Sequence, residues 1–333
     1  MDENIINRSG LRTEDEIIDS WAIKDLTVSI VCIVFNQERY IEETIKSFLL
    51  QRTTFAIEII IHDDVSSDAS VAIIEKYKSL YPRLIKPIIA SENQFSQYMC
   101  KPIVNCLKVA KSPYIALCEG DDYWVDIDKL EKQYQACAKY PKASLCFTAA
   151  KEIDEVTRKE QVICQPYSVR KIISSEDAIV NRGGYMPTAS LFIKSSYTPF
   201  IIENAKSWPI GDFFIQSYLA IVGEVVFLPE ITCVYRRNTE NSWTDSQKAK
   251  EQRYKYSVKM VKALPSFHNK LKGYKGSEFL VQPFAYYVKG GLAASSSPSQ
   301  VIELLQLLVT KSFVFVLASL PKLVYKKLLN LFK

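Results

Sequence analysis

Four apolar runs, each followed by a segment with helical spacing, constrain the fold of this chain more than any other feature. The runs lie at 28–35, 57–61, 84–90 and 114–118, and the first of them is rich in β-branched residues. Continuous runs of this kind are typical of strands that are buried on both faces of a parallel sheet. Helical spacing follows them at 38–50, 69–80, 102–110 and 127–140. This alternation predicts βαβ units, and therefore an α/β fold with a mostly parallel sheet flanked by helices.

The pattern changes after Ser144, where shorter strands are predicted. The segment SLCFTAAKEI and the residues around QVIC are typical of two antiparallel strands joined by a polar turn. Further predicted elements are a short helix at 174–181, a strand at 190–194 and a helix at 211–223. The segment 224–237 predicts two short strands that are interrupted at Pro229. A mixed second half attached to a parallel half-sheet is consistent with one α/β domain.

Three regions are predicted from changes in composition along the chain. Residues 1–25 are polar and acidic and form an N-terminal extension, residues 26–245 form the α/β domain, and residues 246–333 form a helical, basic C-terminal region. The extension lacks the apolar core of a signal peptide. None of the eight cysteines belongs to a CxxC pair, and several lie in apolar runs. We therefore expect a reducing compartment and a cytoplasmic protein.

The segment 301–333 is the most apolar part of the chain and carries five lysines and one glutamate. One interpretation is a helix that packs on the α/β domain. The interpretation that we favour is an amphipathic segment at the inner face of the cell membrane, with lysines that meet anionic lipid. Lys311 and Pro321 interrupt the apolar run, so a helix that spans the membrane is not expected.

Charge and histidine content argue against several classes of function. The net charge of +5 is mild, and its Lys and Arg residues are spread along the chain, so nucleic acid is not an expected partner. The chain has two histidines, His62 and His268. A zinc site of the His/Cys type and a Ser-His-Asp triad are therefore not expected either.

Acidic side chains follow two of the predicted strands at the points where these strands end. Asp63 and Asp64 follow the second run, and an acidic turn at 119–122 follows the fourth. In open α/β sheets ligands bind beyond the carboxyl ends of the strands, so both clusters should face one cleft. Asp63 and Asp64 have the chemistry to accept hydrogen bonds from a base or a ribose. The alternative is that they are solvated loop acids.

The acidic turn EGDDYW holds Glu119, Asp121 and Asp122 within four residues. Like charges crowded at a strand end are unfavourable unless they are solvated, protonated or bound to a cation. Oxygen ligands of this kind suit Mg²⁺ or Mn²⁺ that is shared with substrate phosphates. The alternative is that the acids stabilise the N-terminus of the next helix through its dipole. We favour the metal site.

Three segments, in this order, resemble glycosyltransferase family 2, which has the GT-A fold of nucleotide-sugar transferases. VSIVCIVFNQERYIEETIKSFLLQ resembles the opening strand and helix of that family, HDDVSSDAS resembles its nucleotide motif, and EGDDYW resembles its metal motif, usually written DxD. The resemblance continues through MPTASLFIK, PIGDFFIQSYLA and LPEITCVYRRNTENSW. It covers residues 27–245. The chain departs from the family at Val65 and Ala69, which replace glycines, at Glu119, which replaces an aspartate, and at Asn238, where histidine is common.

The resemblance implies how the nucleotide-sugar donor is held. Asp63 and Asp64 would hold the uracil or the ribose, and the backbone near Phe35 and Asn36 would line the base pocket. Arg236 would contact a phosphate. A UDP-sugar is the expected donor because the family commonly uses one.

The resemblance also implies a metal-dependent reaction that inverts the anomeric centre. Asp122, assisted by Asp121 and Glu119, would hold Mg²⁺ or Mn²⁺ against the diphosphate, and Asp121 would also contact the donor. Asp212 would accept the proton of the acceptor hydroxyl, although its position also suits a helix N-cap. The expected acceptor is a glycan or a lipid-linked glycan, and the expected setting is bacterial surface polysaccharide synthesis.

Three other classes of protein remain as alternatives. A non-catalytic nucleotide-sugar-binding protein would share the fold, but the joint presence of Asp121, Asp122 and Asp212 argues against it. A metal-dependent nucleotidyltransferase or phosphatase also gathers acids at strand ends, but it gives no reason for the segments GDFFIQSYLA and VYRRNTENSW. The third is a membrane scaffold whose C-terminal segment is the functional part.

Overall fold

One mixed sheet and the helices around it make up residues 10–240 and 249–311, which a computed structural model describes. The first elements are α1 (Glu14–Asp19), β1 (Ile23–Val34), α2 (Ile41–Leu49), β2 (Phe55–Asp63), α3 (Ser70–Leu80), β3 (Ile85–Ile89), α4 (Lys101–Val109), β4 (Tyr114–Glu119), β5 (Tyr123–Trp124) and α5 (Lys129–Lys139). The next are β6 (Ala143–Asp154), β7 (Glu160–Ile163), β8 (Lys171–Ile173), α6 (Ser175–Val180), β9 (Phe192–Lys194), α7 (Thr198–Asn204), α8 (Gly211–Val222) and β10 (Glu224–Arg237). The last described elements include α9 (Lys250–Leu271), α10 (Val281–Ala294) and α11 (Pro298–Lys311).

The sheet is parallel in its first half and mixed in its second. Its strands lie in the order β3-β2-β1-β4-β9-β6-β10-β5, and β7 and β8 pair with β6 and β10 outside this path. β1 pairs in parallel with β2 and β4, and β2 pairs in parallel with β3. β9 runs antiparallel between β4 and β6, whereas β6 and β10 are parallel. The predicted parallel half-sheet with a mixed second half is therefore confirmed, as is the antiparallel pair of β6 and β7.

Alternate residues of β1 face two different apolar clusters, which explains why residues 30–34 at the end of this strand are all apolar. Val31 belongs to the cluster on one face of the sheet, whereas Ile30 and Cys32 belong to the cluster on the other face. β2 divides in the same way, with Ile60 on the first face and Ile59 on the second. Helices on both faces cover strands of this kind, so every position needs an apolar side chain.

The prediction of two short strands at 224–237 is wrong, because β10 is one strand over Glu224–Arg237. Its pairing with β6 changes register between Leu228 and Ile231, next to Pro229. Proline has no N–H to donate to a neighbouring strand, so within sheets it is tolerated at bulges. The irregularity absorbs Pro229 without ending the strand, and β10 runs on to Arg236.

Helix α8 is buried on every side. Residues 213–221 are all buried, as expected for a helix whose sequence is apolar all round. The Phe214 ring stacks on Trp208 with 5.5 Å between the ring centroids, and it meets Phe267 of α9 edge-on at 4.8 Å. α8 therefore joins the sheet to the C-terminal helices and fixes the position of Asp212 in its own first turn.

The predicted N-terminal and C-terminal regions are helical where they are described. α1 begins with a capping box, in which Thr13 and Glu16 each accept the backbone N–H of the other. α9, α10 and α11 confirm the helical character of the C-terminal region. The region boundaries at residues 25 and 245 stay predictions. Most of the segment predicted to bind membrane lies outside the described residues. Across the described ranges, none of the helices has both the length and the apolar character that crossing a bilayer requires.

Candidate active site

The register of the parallel strands brings both acidic clusters to one edge of the sheet. Val34 pairs with Asp63 in the ladder between β1 and β2, and Ile33 pairs with Glu119 in the ladder between β1 and β4. The three strands therefore end at the same level, and the loops that follow them lie side by side. This is the edge at which open α/β sheets bind ligands.

Asp64 anchors a neighbouring loop in this structure. Its side chain is almost fully buried, and its two oxygens accept the backbone N–H groups of Gln94, at 2.6 Å, and Phe95, at 2.9 Å. Both carboxylate oxygens therefore have a partner within the protein. A contact between Asp64 and the nucleotide, as predicted, would have to use the remaining lone pairs of these oxygens.

Asp63 differs from Asp64 because one of its oxygens is unpaired. Oδ1 accepts the backbone N–H of Ser66 at 2.9 Å, whereas Oδ2 is buried and has no hydrogen-bond partner among the described residues. A buried acceptor without a partner costs about 1–3 kcal/mol. The N–H of a base or a ribose hydroxyl would satisfy Asp63 Oδ2, provided that the surrounding loop moves enough to admit it.

Phe35 and Asn36 lie in the loop after β1, beside the loop after β2. The Asn36 side-chain oxygen accepts the backbone N–H of Ser67 at 2.7 Å, and the Asn36 backbone N–H donates to the Ser66 hydroxyl at 2.8 Å. These bonds tie the two loops together. The Phe35 side chain is 41% exposed beside them, so its ring is open to contact with a base.

Val65 occupies a position that explains why related chains carry glycine there. Its φ is 67°, in the left-handed region that β-branched residues rarely adopt. Glycine reaches this region without steric cost, whereas valine does not. The loop between Asp63 and Ser66 is therefore strained, as is often found where a backbone is shaped to fit a ligand.

The three acids of the turn at 119–122 have different surroundings. Asp122 is 1% exposed, and its Oδ1 accepts the backbone N–H of Arg236 at 2.9 Å. Asp121 is half-buried, and its Oδ2 accepts the Thr239 hydroxyl at 3.0 Å. Glu119 is exposed. Asp122, the main metal ligand in the sequence-based prediction, thus holds β10 against the turn, whereas Glu119 and Asp121 are open to a ligand.

Arg236 is buried against the acidic turn. Its guanidinium donates to the Asp121 carbonyl oxygen at 2.6 Å, pairs with the Glu43 carboxylate, and lies 3.5 Å from a Glu155 oxygen. It also lies over the Tyr123 ring, 4.3 Å from the centroid. Through these contacts the buried guanidinium holds the acidic turn in place from the protein interior. The predicted phosphate contact would require the guanidinium to leave them.

A glycine allows the acidic turn to approach the end of β1. A Cβ atom at position 120 would lie 2.4 Å from Gln37 Oε1 and 2.9 Å from Val34 Cγ2. Because contacts this short would displace the neighbours, a larger residue than Gly120 would push the turn away from β1.

Burial and mutual repulsion raise the pKa values of the acids at this edge. Glu119 reaches solvent at the edge of the sheet, but the protein packed around it still reduces its solvation, and the charges of Asp121 and Asp212 add to this effect, so the pKa of Glu119 rises to about 8. Burial also raises the pKa values of Asp121 and Asp122. Because the charge of Asp212 reaches Glu119, these two carboxylates lie near each other, although they are far apart in the sequence.

Asp212 lies in the first turn of α8, one residue inside the helix. The helix begins at Gly211 with Ile210 as its N-cap, and no side chain caps it, so the alternative role of Asp212 as N-cap is not realised. Its Oδ1 accepts the N–H of Phe213 at 2.5 Å. Burial raises the pKa of Asp212 to about 6. A carboxyl group with this pKa is suited to accept a proton near neutral pH.

The donor set of the acidic turn fits a cation that shares its coordination with a substrate. Within the part of the chain that is described, no three side chains of His, Cys, Asp or Glu form a metal-binding group by themselves. Mg²⁺ is commonly held by one or two carboxylates together with substrate phosphates and water. Glu119 and Asp121 provide two such carboxylates; burial raises the pKa of both, and in Glu119 the charges of Asp121 and Asp212 add to the shift.

The family model described as Glycosyl transferase family 2 matches residues 29–197, about half of the chain. The chain belongs to glycosyltransferase family 2. The match includes both acidic clusters and ends shortly before α8. Proteins of this family are enzymes that transfer a sugar.

The chain is also similar to individual proteins of mycobacteria and of Escherichia coli. Uncharacterized protein Rv1520 of Mycobacterium tuberculosis (strain H37Rv) is 36% identical over 230 residues, which are 68% of this glycosyltransferase and 64% of that protein. The match therefore spans less than two thirds of that relative. UDP-Glc:alpha-D-GlcNAc-diphosphoundecaprenol beta-1,3-glucosyltransferase WfaP of Escherichia coli is 41% identical over 102 residues, 29% of this chain and 36% of that protein.

The fold is also similar to that of a solved structure. S. aureus TarS 1–349 in complex with UDP-GlcNAc superposes with a TM-score of 0.62 and 15% identity, and the match covers 88% of this glycosyltransferase and 82% of that chain. The predicted GT-A fold is thereby confirmed. The match includes much of the C-terminal helical region as well as the sheet.

Two features of the site were not predicted from the sequence. Glu43 pairs with the buried Arg236, and Gly183 packs against Asp212. The contact at Gly183 had a weak signal in the adjacent pair Gly183-Gly184, which is one of two such pairs in the chain. The pairing of Glu43 had none, since it depends on how α2 and β10 come together in space.

Gly183 and Gly184 form a matched pair for testing the position of Asp212. A Cβ atom at 183 would lie 2.6 Å from Asp212 Oδ2, whereas one at 184 would meet no atom within 4 Å. We expect Gly183→Ala to displace the carboxylate and to lower kcat by about 10²-fold, since a shift of about 1 Å has this effect. Steady-state kinetics of sugar transfer measures this change in kcat. Gly184→Ala adds the same methyl group without contact with Asp212, so it should lower kcat less than Gly183→Ala does, and an equal loss in both variants would contradict the placement of Asp212.

Proposed function

We propose that this glycosyltransferase moves a sugar from a nucleotide-sugar, with a UDP-sugar as the expected donor, and inverts the anomeric centre. The observation that carries the proposal is the position of Asp212. It lies near enough to the acidic turn for its charge to raise the pKa of Glu119, it stands at the start of a buried helix, and burial raises its own pKa to about 6. A base on one side of the cleft and an acidic, cation-binding turn on the other are the two parts that this reaction needs.

The donor side of the site is formed by the loops after β1, β2 and β4. The unpaired Oδ2 of Asp63 supports its proposed contact with the base or the ribose, and the exposed ring of Phe35 supports stacking on the base. Asn36 holds the loop that carries Phe35 in place. We assign Asp64 to the support of this pocket, since both its oxygens already bind backbone N–H groups.

Glu119 and Asp121 would hold Mg²⁺ or Mn²⁺, and Asp122 would keep the acidic turn in position. When bound, the cation would supply positive charge for the diphosphate leaving group. Arg236 would support this arrangement from behind by fixing the Asp121 carbonyl. The donor diphosphate would thus lie on the open side of the turn.

Asp212 would act as the general base. The bond between the acceptor oxygen and the anomeric carbon forms as the bond to the diphosphate breaks, and the acceptor proton moves to the Asp212 carboxylate. Attack from the side opposite the leaving group inverts the anomeric centre. The raised pKa of Asp212 favours this proton transfer, because it strengthens the base while leaving it ionised at neutral pH.

The acceptor is proposed to be a glycan or a lipid-linked glycan of bacterial surface polysaccharide synthesis. Support comes from the name of the relative WfaP, which acts on a sugar linked to diphosphoundecaprenol. An acceptor of this kind lies at a membrane. We propose that the enzyme is cytoplasmic and that its C-terminal segment meets the inner face of the cell membrane.

The role of Asp212 is tested with Asp212→Asn, which keeps the shape of the side chain and removes the base. We expect nucleotide-sugar binding to remain and sugar transfer to fall by about 10²–10⁴-fold. The assay is release of nucleoside diphosphate with a bacterial membrane extract as the acceptor source. In the unmodified enzyme, kcat should decline as the pH falls through about 6, because the base becomes protonated. An Asp212→Asn variant that transfers the sugar at the normal rate would contradict the role of Asp212 as the base.

The cation site is tested with Asp121→Asn. We expect the variant to lose the enhancement of donor binding by Mn²⁺, at least about tenfold in Kd, because a carboxylate ligand is replaced by a neutral amide. Calorimetric titration of UDP with and without Mn²⁺ measures this. Asp25→Asn, at an exposed position before the buried part of β1, is the matched control. Equal Mn²⁺ dependence in the two variants would contradict the assignment.

Membrane contact is tested by deleting residues 312–333. This deletion keeps Leu304, which is fully buried in α11, so the described helices stay complete. We expect the shortened enzyme to be released from anionic vesicles. Changing Lys322, Lys326 and Lys327 to Gln should weaken binding by about 1 kcal/mol for each lysine. Co-sedimentation with phosphatidylglycerol vesicles measures both, and equal pelleting of all proteins would end the membrane proposal.

A further inference from the structure

A cavity of about 550 Å³ opens beside Asp212, between the sheet domain and the C-terminal helices. One wall is formed by Asp212 and the 3₁₀ turn Gly183–Tyr185, and the other by α9 and α10. Gly290 and Ala293 line the α10 side, and their small side chains leave the space open. The volume falls within the range of about 300–1,000 Å³ that small-molecule sites occupy.

Two tyrosines bring hydroxyl groups towards Asp212. Tyr256 of α9 and Tyr287 of α10 line the cavity with their rings edge-on, 5.6 Å between centroids. Burial raises the pKa of Tyr287 to about 12, and the nearby Asp212 charge contributes to this shift. Both hydroxyls therefore stay protonated and can orient a polyhydroxylated ligand next to the base.

A third tyrosine and two arginines line the outer part of the cavity. Tyr286 is 50% exposed, and the Arg182 guanidinium lies over its ring, 3.6 Å from the centroid. Arg253 of α9 is also exposed and lines the same cavity. Among the described lining residues Asp212 is the one acid. The cavity therefore combines a base at its inner end with aromatic faces and positive charge further out.

We propose that this cavity binds the acceptor, and that the acceptor is a sugar that carries a phosphate group. The inference rests on the proposed function, in which Asp212 is the base. The accepting hydroxyl would lie at Asp212, the sugar ring would pack beside Tyr286, and the phosphate would pair with Arg182 and Arg253. Arginine suits this role because its planar guanidinium can bind two phosphate oxygens at once.

The position of the cavity separates it from the donor side of the site. Asp212 lines the cavity and its charge reaches Glu119, whereas none of the three acids of the turn is among the residues that line the cavity. A donor diphosphate held at the turn and an acceptor held in the cavity would therefore meet at Asp212. The C-terminal helices would thus recognise the acceptor, since α9 and α10 supply Arg253 and the three tyrosines.

The test uses a panel of glycosyl 1-phosphates, each paired with the uncharged methyl glycoside of the same sugar and anomeric configuration, titrated into the full-length enzyme with UDP and Mn²⁺ present. The sugars are glucose, galactose, mannose, N-acetylglucosamine and rhamnose. We expect at least one phosphate to bind about tenfold or more tightly than its methyl glycoside. Binding of no panel member, or equal binding within every pair, would overturn the proposal.

Matched variants assign the effect to the cavity. Arg253→Gln and Arg182→Gln should each reduce the preference for the phosphate. Lys255→Gln, at an exposed position on the same helix outside the cavity, should keep it. Tyr286→Ala should weaken the phosphate and the methyl glycoside alike, whereas Tyr274→Ala, of similar exposure but away from the cavity, should not. A phosphate preference that survives both arginine changes would place the anion elsewhere and overturn the assignment.

Two further measurements separate the possible sources of failure. Binding of UDP with Mn²⁺ is measured in the same preparations. If UDP binds and the panel result is negative, the acceptor inference fails while the donor part of the proposed function stands. If UDP does not bind, the proposed function itself fails. A short-chain alkyl diphosphate of the preferred sugar distinguishes the origin of the acceptor: tighter binding than the glycosyl phosphate indicates a lipid-linked acceptor, and equal binding indicates a soluble one.

Discussion

Repulsion among carboxylates at one edge of the sheet is the constraint on which the site depends. Glu119, Asp121 and Asp122 lie within four residues, and Asp212 adds its charge to theirs. Buried charges of one sign need compensation. Arg236 provides it from behind the turn, and its own backbone N–H binds Asp122. β10 has to reach the end of the sheet to deliver this residue. The irregularity that lets β10 pass Pro229 is therefore part of the site, and the open side of the turn is left for a ligand.

Most of the fold was predictable from the sequence because its strands are buried on both faces. Such strands are continuous apolar runs, and β1, β2 and β4 lie where those runs lie. The exception is β10, where Pro229 indicated a break. A proline in the sequence shows that no N–H is donated at its position, but it does not predict whether the strand ends there or forms a bulge. That outcome depends on the register with β6, which only the assembled sheet contains.

The sequence predicted which residues belong to the candidate site better than it predicted what each of them does there. Strand ends and the family resemblance identified Asp63, Asp64, Asp121 and Asp122, but they did not distinguish acids that bind backbone N–H groups from acids that remain open. Asp64 and Asp122 are of the first kind because loops distant in the sequence come to lie against them. Position along a strand carries no information about such partners.

The place of α8 links the chemistry of the site to the C-terminal helices. α8 is apolar all round, so it has to be covered on the side away from the sheet, and Phe267 of α9 covers it there. The same helix begins with Asp212. Any segment that covers α8 therefore also borders the base, and the cavity between Asp212 and α10 is a consequence of this packing. Burial of α8 thus has two effects at once: it raises the pKa of Asp212 to about 6, and it forms a pocket next to that carboxylate to which the acids of the turn do not contribute.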